Sequence, residues 1–238
     1  MLVGAWLIGM SFFFSACNTN SPSSPSGPLY SKLPGGGGNA PPSSSANYVV
    51  GAIGYGVTFI ANTAVTTYTL AAAVAIQQTP STNAAITFTD PNGTTQYSLT
   101  YSGSNQAVGG VTCGIYGASP SSFSTAGTFN LSVVTNAGTS SASVTATNST
   151  ISFPSPYTTL SWTGSSQQNI VSVMSVATPS TSYDQSATTS PISIPASTYT
   201  SGVTYSYELL QSNSATTISS GTGSLGYLET TSGTFVAP

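Results

Sequence analysis

Four carboxylates (Asp90, Asp184, Glu208, Glu229), two thiols (Cys17, Cys113) and one amine (Lys32) are the ionisable groups this chain offers besides its tyrosines. Histidine is absent. Without imidazole, neither a Ser-His-Asp triad nor a Cys-His pair can be assembled. Zinc and other transition metals call for imidazole or several thiolates, which two cysteines do not supply. The nearest approach to a calcium site is Asp90 with Asn92, one carboxylate for an ion that takes six to eight oxygens. The string Asp90-Pro91-Asn92-Gly93 reads more directly as a turn. Glu208 and Glu229 could be imagined as a glycosidase pair, but nothing in the sequence sets their separation. Glu208 lies between Tyr207 and Leu209, so alternation along a strand points it outward. Asp184, beside Tyr183 in a Ser/Thr-rich stretch, reads as a solvated loop residue. One lysine cannot displace the counterions of a nucleic acid. The expectation is a non-catalytic protein with no metal, no cofactor and no nucleic-acid partner.

What must hold these residues is a chain of 238 residues that is 39% hydrophobic and only 2% charged. About a third of it is Ser and Thr, and it carries 13 Tyr and 9 Phe. This mixture suits pleated, half-buried surfaces and lacks the high net charge of a disordered chain. Hydroxyls and amides must supply solubility, so the surface itself is expected to change little with pH.

Residues Leu2 to Phe14 form an apolar run too short to span a bilayer and of the length of an export signal's core. It ends in Phe14-Ser15-Ala16-Cys17, which resembles the lipobox of bacterial lipoproteins. The resemblance implies cleavage of residues 1–16, a diacylglycerol on the Cys17 thiol and acylation of its new amine. Asn18, where such proteins retained in the inner membrane carry Asp, implies the outer membrane or cell surface. The leader departs from the pattern in having no Lys or Arg before Cys17. The competing readings are an ordinary signal peptide, giving a secreted protein, and a Cys17–Cys113 disulfide. Cys113, in Val111-Thr112-Cys113-Gly114-Ile115, is expected to be a buried, inert thiol.

Residues 17–47 are rich in Ser, Pro and Gly and read as a linker. From residue 48 onward, apolar residues alternate with Thr and Ser between Gly, Pro and Asn turns, the pattern of many short strands. Tyr68, Leu70, Ala72, Val74 and Ile76 are expected on one face of a strand. Asp90 to Gly93 should close a hairpin between Ile86–Thr89 and Tyr97–Tyr101. The fold class expected is all-β: two tandem Ig-like/fibronectin type III-like β-sandwiches, over 48–148 and 149–238.

Two resemblances refine this. Phe123 to Val144, with Ala126-Gly127-Thr128-Phe129 before an alternating strand and Asn136-Ala137-Gly138 after it, resembles the closing strands of PKD-like and other bacterial Ig-like domains. Residues 150–238 resemble a fibronectin type III domain: Leu160-Ser161-Trp162 has the spacing of its early strand. Tyr199-Thr-Ser-Gly202-Val-Thr-Tyr205 follows its Leu-x-Pro-Gly-x-x-Tyr corner, with Tyr199 and Ser201 replacing Leu and Pro. That resemblance implies that the Tyr205 hydroxyl returns to the preceding corner backbone.

Neither module brings catalytic residues. The functional expectation is a surface protein held to the membrane by lipidated Cys17 and presenting sandwich loops or edges to a protein partner. The alternative is a glycan-binding module, in which exposed Tyr48, Tyr55, Tyr101, Tyr116, Tyr157, Tyr183 or Tyr227 would stack on sugars. Asn92, Asn130 and Asn148 lie in N-x-Ser/Thr sequons, which so Thr/Ser-rich a chain produces by chance.

Overall fold

The computed structural model describes residues 47–60, 63–147, 149–164, 166–177, 181–215 and 218–238. The leader, Cys17, Lys32, the linker and Asn148 lie outside them. The first half contributes β1 (Asn47–Ile60), β2 (Thr63–Ile76), β3 (Thr79–Pro80), β4 (Ala85–Thr89), β5 (Gln96–Val108), β6 (Val111–Ala118), β7 (Thr128–Thr135) and β8 (Gly138–Thr145). The second contributes β9 (Ile151–Ser152), β10 (Thr159–Trp162), β11 (Gln168–Ser175), β12 (Thr181–Ala187), β13 (Ile192–Ser193), β14 (Thr204–Ala215) and β15 (Gly221–Val236). The fold is all-β.

The strands follow the alternation of the sequence. Phe129, Leu131 and Val133 on β7 are all buried, and Asn136-Ala137 turns the chain into β8 with Thr135 opposite Gly138. Asp90 to Gly93 closes the β4–β5 hairpin. The Asp90 carbonyl accepts the Gly93 amide at 2.8 Å, its Oδ1 accepts the Asn92 amide at 2.9 Å, and Gly93 takes φ +75°. On β2, Leu70, Ala72 and Val74 share a face as expected. Ala71, Ala73 and Ala75 on the other face are equally buried, so this strand is enclosed on both sides.

A large sheet runs β12-β11-β14-β15-β1-β2-β6-β5. At Leu99–Thr100, β5 passes out of it into a second sheet with β4, β7 and β8. A three-stranded sheet, β13-β10-β9, stands apart. Both smaller sheets cover the same face of the large one, here called the inner face. Over one end, Phe88, Phe129, Leu131 and Val144 pack on Val49, Ile53, Leu70 and Tyr227. Over the other, Leu160, Trp162 and Ile194 pack on Val171, Val173, Leu209 and Phe235. Tyr205 accepts the Thr200 backbone amide on its hydroxyl at 3.0 Å, the corner contact expected of it.

The chain crosses from one covering sheet to the other between β8 and β9. The large sheet, however, continues across it: β15 pairs with β14 antiparallel and with β1 parallel, from Asn47 opposite Gly221 to Phe59 opposite Gly233. Leu225 and Tyr227 of β15 join the first core and Phe235 joins the second.

The β1–β15 contact is closest at Gly223. It holds φ +135°, and a Cβ there would stand 1.7 Å from the Val49 carbonyl oxygen. Gly223→Ala is expected to cost on the order of 3 kcal/mol or to prevent folding. Urea unfolding checks this, and a wild-type midpoint would mean the two strands are not so closely apposed.

Candidate functional site

Register places the carboxylates. Residues directly opposite one another across a sheet point to the same face, so Glu229 shares the inner face with Gln211 of β14 and Asn169 of β11. Together they form a polar row across the inner face, between the two apolar cores. The Asn169 carboxamide oxygen accepts the Gln211 Nε2 at 2.9 Å and the Ser166 hydroxyl at 2.5 Å, while its Nδ2 donates to the Ala187 carbonyl at 3.1 Å. Asn213 Nδ2 donates to the Thr145 carbonyl at 2.9 Å, where the chain leaves β8.

Glu229, 2% exposed, receives the Thr147 hydroxyl on Oε2. The Ser149 backbone amide also serves this carboxylate, and the Tyr227 hydroxyl approaches it without reaching full hydrogen-bond geometry. Burial nevertheless raises the Glu229 pKa, and these donors only partly offset that. Burial also raises the Tyr227 phenol, with the Glu229 charge adding to it. The row caps the polar crossing between covering sheets with side-chain hydrogen bonds, as buried polar groups require.

Glu208 sits opposite Ser232, one face away from Glu229. The two glutamates are therefore on opposite sides of the sheet and cannot flank one substrate bond. Alternation was right that Glu208 points away from Tyr207 and Leu209. It is half-buried there, and desolvation raises its pKa. Asp184 lies not in a loop but in β12, opposite Ser172, which is in turn opposite Glu208. Its Ser/Thr-rich surroundings, read as loop, pair with β11 as an edge strand instead. Asp90, 2% exposed, uses Oδ2 to accept the Ser124 amide at 2.9 Å and the Tyr97 hydroxyl at 3.3 Å, fastening a loop to its turn. Among the described residues, no three His, Cys, Asp or Glu side chains come together.

Cys113 is fully buried on the outer face of the large sheet. The candidate stacking tyrosines are enclosed too: Tyr48, Tyr116 and Tyr227 are buried, and Tyr55, Tyr101, Tyr157 and Tyr183 are partly buried. Asn92 and Asn130 are exposed, and Asn130 Oδ1 accepts the Ser143 hydroxyl at 2.6 Å.

The sequence reading missed one surface. Of the exposed large hydrophobics, Phe59, Val65, Met174, Val176 and Val236 lie toward the end of the large sheet farthest from Asn47, Phe59 on its inner face, while Val134 stands elsewhere, on β7. Val65, Met174 and Val236 lie on its outer face, and the Val176 amide bonds the Thr204 carbonyl beside them. No single segment carries this patch, so only strand register reveals it. Nearby, β12 closes the sheet with β11 as its one partner strand, next to a polar hollow of about 390 Å³ lined by Gln185, Thr188, Thr189 and Ser193.

No helix among the described residues is long and apolar enough to cross a membrane. No protein-family model matches the chain, and no curated protein matches it.

Two desolvated carboxyls make stability depend on pH. Glu208 and Glu229 hold their protons to higher pH in the folded chain than in the unfolded one, whose ordinary value is 4.5. Their stabilisation is complete below that value and is lost as pH rises through the folded values. Urea midpoints should therefore fall from about pH 4 to about pH 7. Glu208→Gln with Glu229→Gln should flatten the trend, and a midpoint that rises over this range would contradict the assignment.

Proposed function

We propose that this chain is a non-catalytic, lipid-anchored structural or adhesive protein of the cell surface. Lipidated Cys17 holds it to the membrane, and its sheet presents an apolar end to a protein partner. The observation that carries this reading is the polarity of the large sheet. The segment leading back to Cys17 enters at Asn47, and five of the six exposed large hydrophobics among the described residues lie toward the other end of β1. At ~3.3 Å per residue, the fourteen residues of β1 put ~45 Å between them. Apolar groups gathered in one place on a surface mark an interaction site more strongly than scattered ones. The open edge of β12 adds backbone groups able to pair with an extended segment of the same partner.

The glycan reading has less support. Trp162 is buried in the second core, and Tyr55, Tyr157, Tyr199, Tyr205 and Tyr207 turn their rings to one another or to Phe123, Phe153 and Phe235, as in the Tyr157–Phe235 stack at 4.2 Å. A row of open rings is what sugar stacking needs, and none of the described Tyr or Trp residues is fully exposed.

Intact mass of the membrane fraction tests the anchor: a chain beginning at Cys17 with added acyl mass is expected, and an unlipidated chain beginning elsewhere overturns it. Adhesion is tested by Val176→Ser with Val236→Ser on cells displaying the protein. Attachment to protein-coated surfaces is expected to drop on the order of tenfold at unchanged surface level. Undiminished attachment would place the contact elsewhere.

A further inference from the structure

The large sheet ends at β12, and β11 is the one partner of β12 among the described strands. Along its other edge, alternate amides and carbonyls of β12 therefore point away from the sheet. Such an edge recruits further strands, and proteins commonly blunt it with Lys, Pro or another charge. The strand Thr181–Ala187 contains neither Lys nor Pro. Its single charge is Asp184, which is exposed and stands at the midpoint of the strand.

That position decides which strands the edge admits. Antiparallel self-pairing over the full strand sets Asp184 directly against Asp184 of a second copy, on the same face. Sliding by two residues, the smallest step that keeps the faces matched, leaves the two carboxylates diagonal to one another and shortens the pairing. Like charges opposite each other are destabilising. The described strands of a second copy hold no Lys or Arg to relieve them. Glu208 lies in the same outer row, two strands inward beyond Ser172, at about 10 Å. The edge disfavours its own copy and favours a strand with a cation opposite Asp184.

The inner face adds a second condition. Tyr183 and Gln185 lie opposite Val173 and Val171 of the second core, so they are on the inner side. On that side lies the hollow of about 390 Å³, where Gln185, Thr188, Thr189 and Ser193 present hydroxyls and a carboxamide but no charge. The Tyr183 hydroxyl donates to Gln185 Oε1, which holds that carboxamide in place. In a strand added to β12, the two side chains flanking the cation turn to this side by alternation. Small hydroxyl or amide side chains match its lining.

We propose that β12 takes up an extended segment of a protein partner, with a Lys or Arg opposite Asp184 and small uncharged polar residues on either side of that cation. The inference rests on the reading of this chain as one that binds a protein, and it names the chemistry of the segment bound. It does not need the lipid anchor.

A labelled peptide, Thr-Val-Ser-Lys-Ser-Val-Thr with both ends blocked, tests this by fluorescence anisotropy with the full chain. Binding is expected, together with slower hydrogen exchange from Tyr183 to Ala187. Glu in place of the peptide's Lys should weaken binding about fivefold, and Asp184→Lys in the protein should reverse the preference. N-methylation of the peptide's alternate residues separates strand addition from a purely ionic contact. One alternate set should abolish binding while the other leaves most of it. No binding at millimolar peptide, equal binding of the Lys and Glu peptides, or equal loss from both N-methylated sets would overturn the proposal. So would exchange at β12 that slows as the chain alone is concentrated, which would give the edge to a second copy. If the peptide fails while Val176→Ser with Val236→Ser still lowers attachment, the apolar end keeps its role and only β12 loses its partner.

Discussion

The parallel pairing of β1 with β15 is the constraint on which the rest of the structure depends. It joins the first described strand to the last, in register over thirteen residue pairs, and makes one sheet of two halves. Both cores are built on that sheet, and the side chains of β15 enter both: Tyr227 the first, Phe235 the second. Parallel strands cannot be joined by a tight turn and need a long connection between them. Here the connection is almost the whole domain. Such a pairing gathers contacts of high sequence separation, which places folding at the slow end for a β-protein of this size.

Where the two cores meet, the inner face turns polar. Asn169, Gln211 and Glu229 stand in one row because three strands happen to be in register there, and Thr147 and Ser149 come down on them from the crossing chain. Apolar side chains in the same row would have left the amides and hydroxyls of the crossing without partners, which is the costlier arrangement. Among the described residues there is no Lys or Arg to pair with Glu229. Two of the four carboxyls, Glu208 and Glu229, have raised pKa values from partly or fully desolvated sites.

Much of the local structure was legible. The hairpin at Asp90–Gly93, the β7 face of Phe129, Leu131 and Val133, the buried Cys113 and the return of Tyr205 to its corner all follow from turn chemistry and alternation. The all-β class follows from the same signals. What the sequence concealed was long-range. Nothing in β1 or β15 announces a parallel partner more than 170 residues away, because backbone pairing carries no side-chain signature. The half-buried state of Glu208 was hidden for a related reason: alternation assigns a face but does not say how wet the face is. Asp184 was misplaced because Ser/Thr-rich edge strands and loops share a composition. The apolar end, assembled from β1, β2, β11 and β15, exists only once their register is known.

The direction of the β1–β15 pair has a mechanical consequence. A load applied between Asn47 and the apolar end runs along these strands and across the hydrogen bonds that hold them to their neighbours. The ladder is then strained in shear, with many bonds bearing the force together, whereas a hairpin pulled from its open end gives way one bond at a time. For a molecule gripped at both extremities, this geometry turns ordinary amide bonds into a tension-bearing strap.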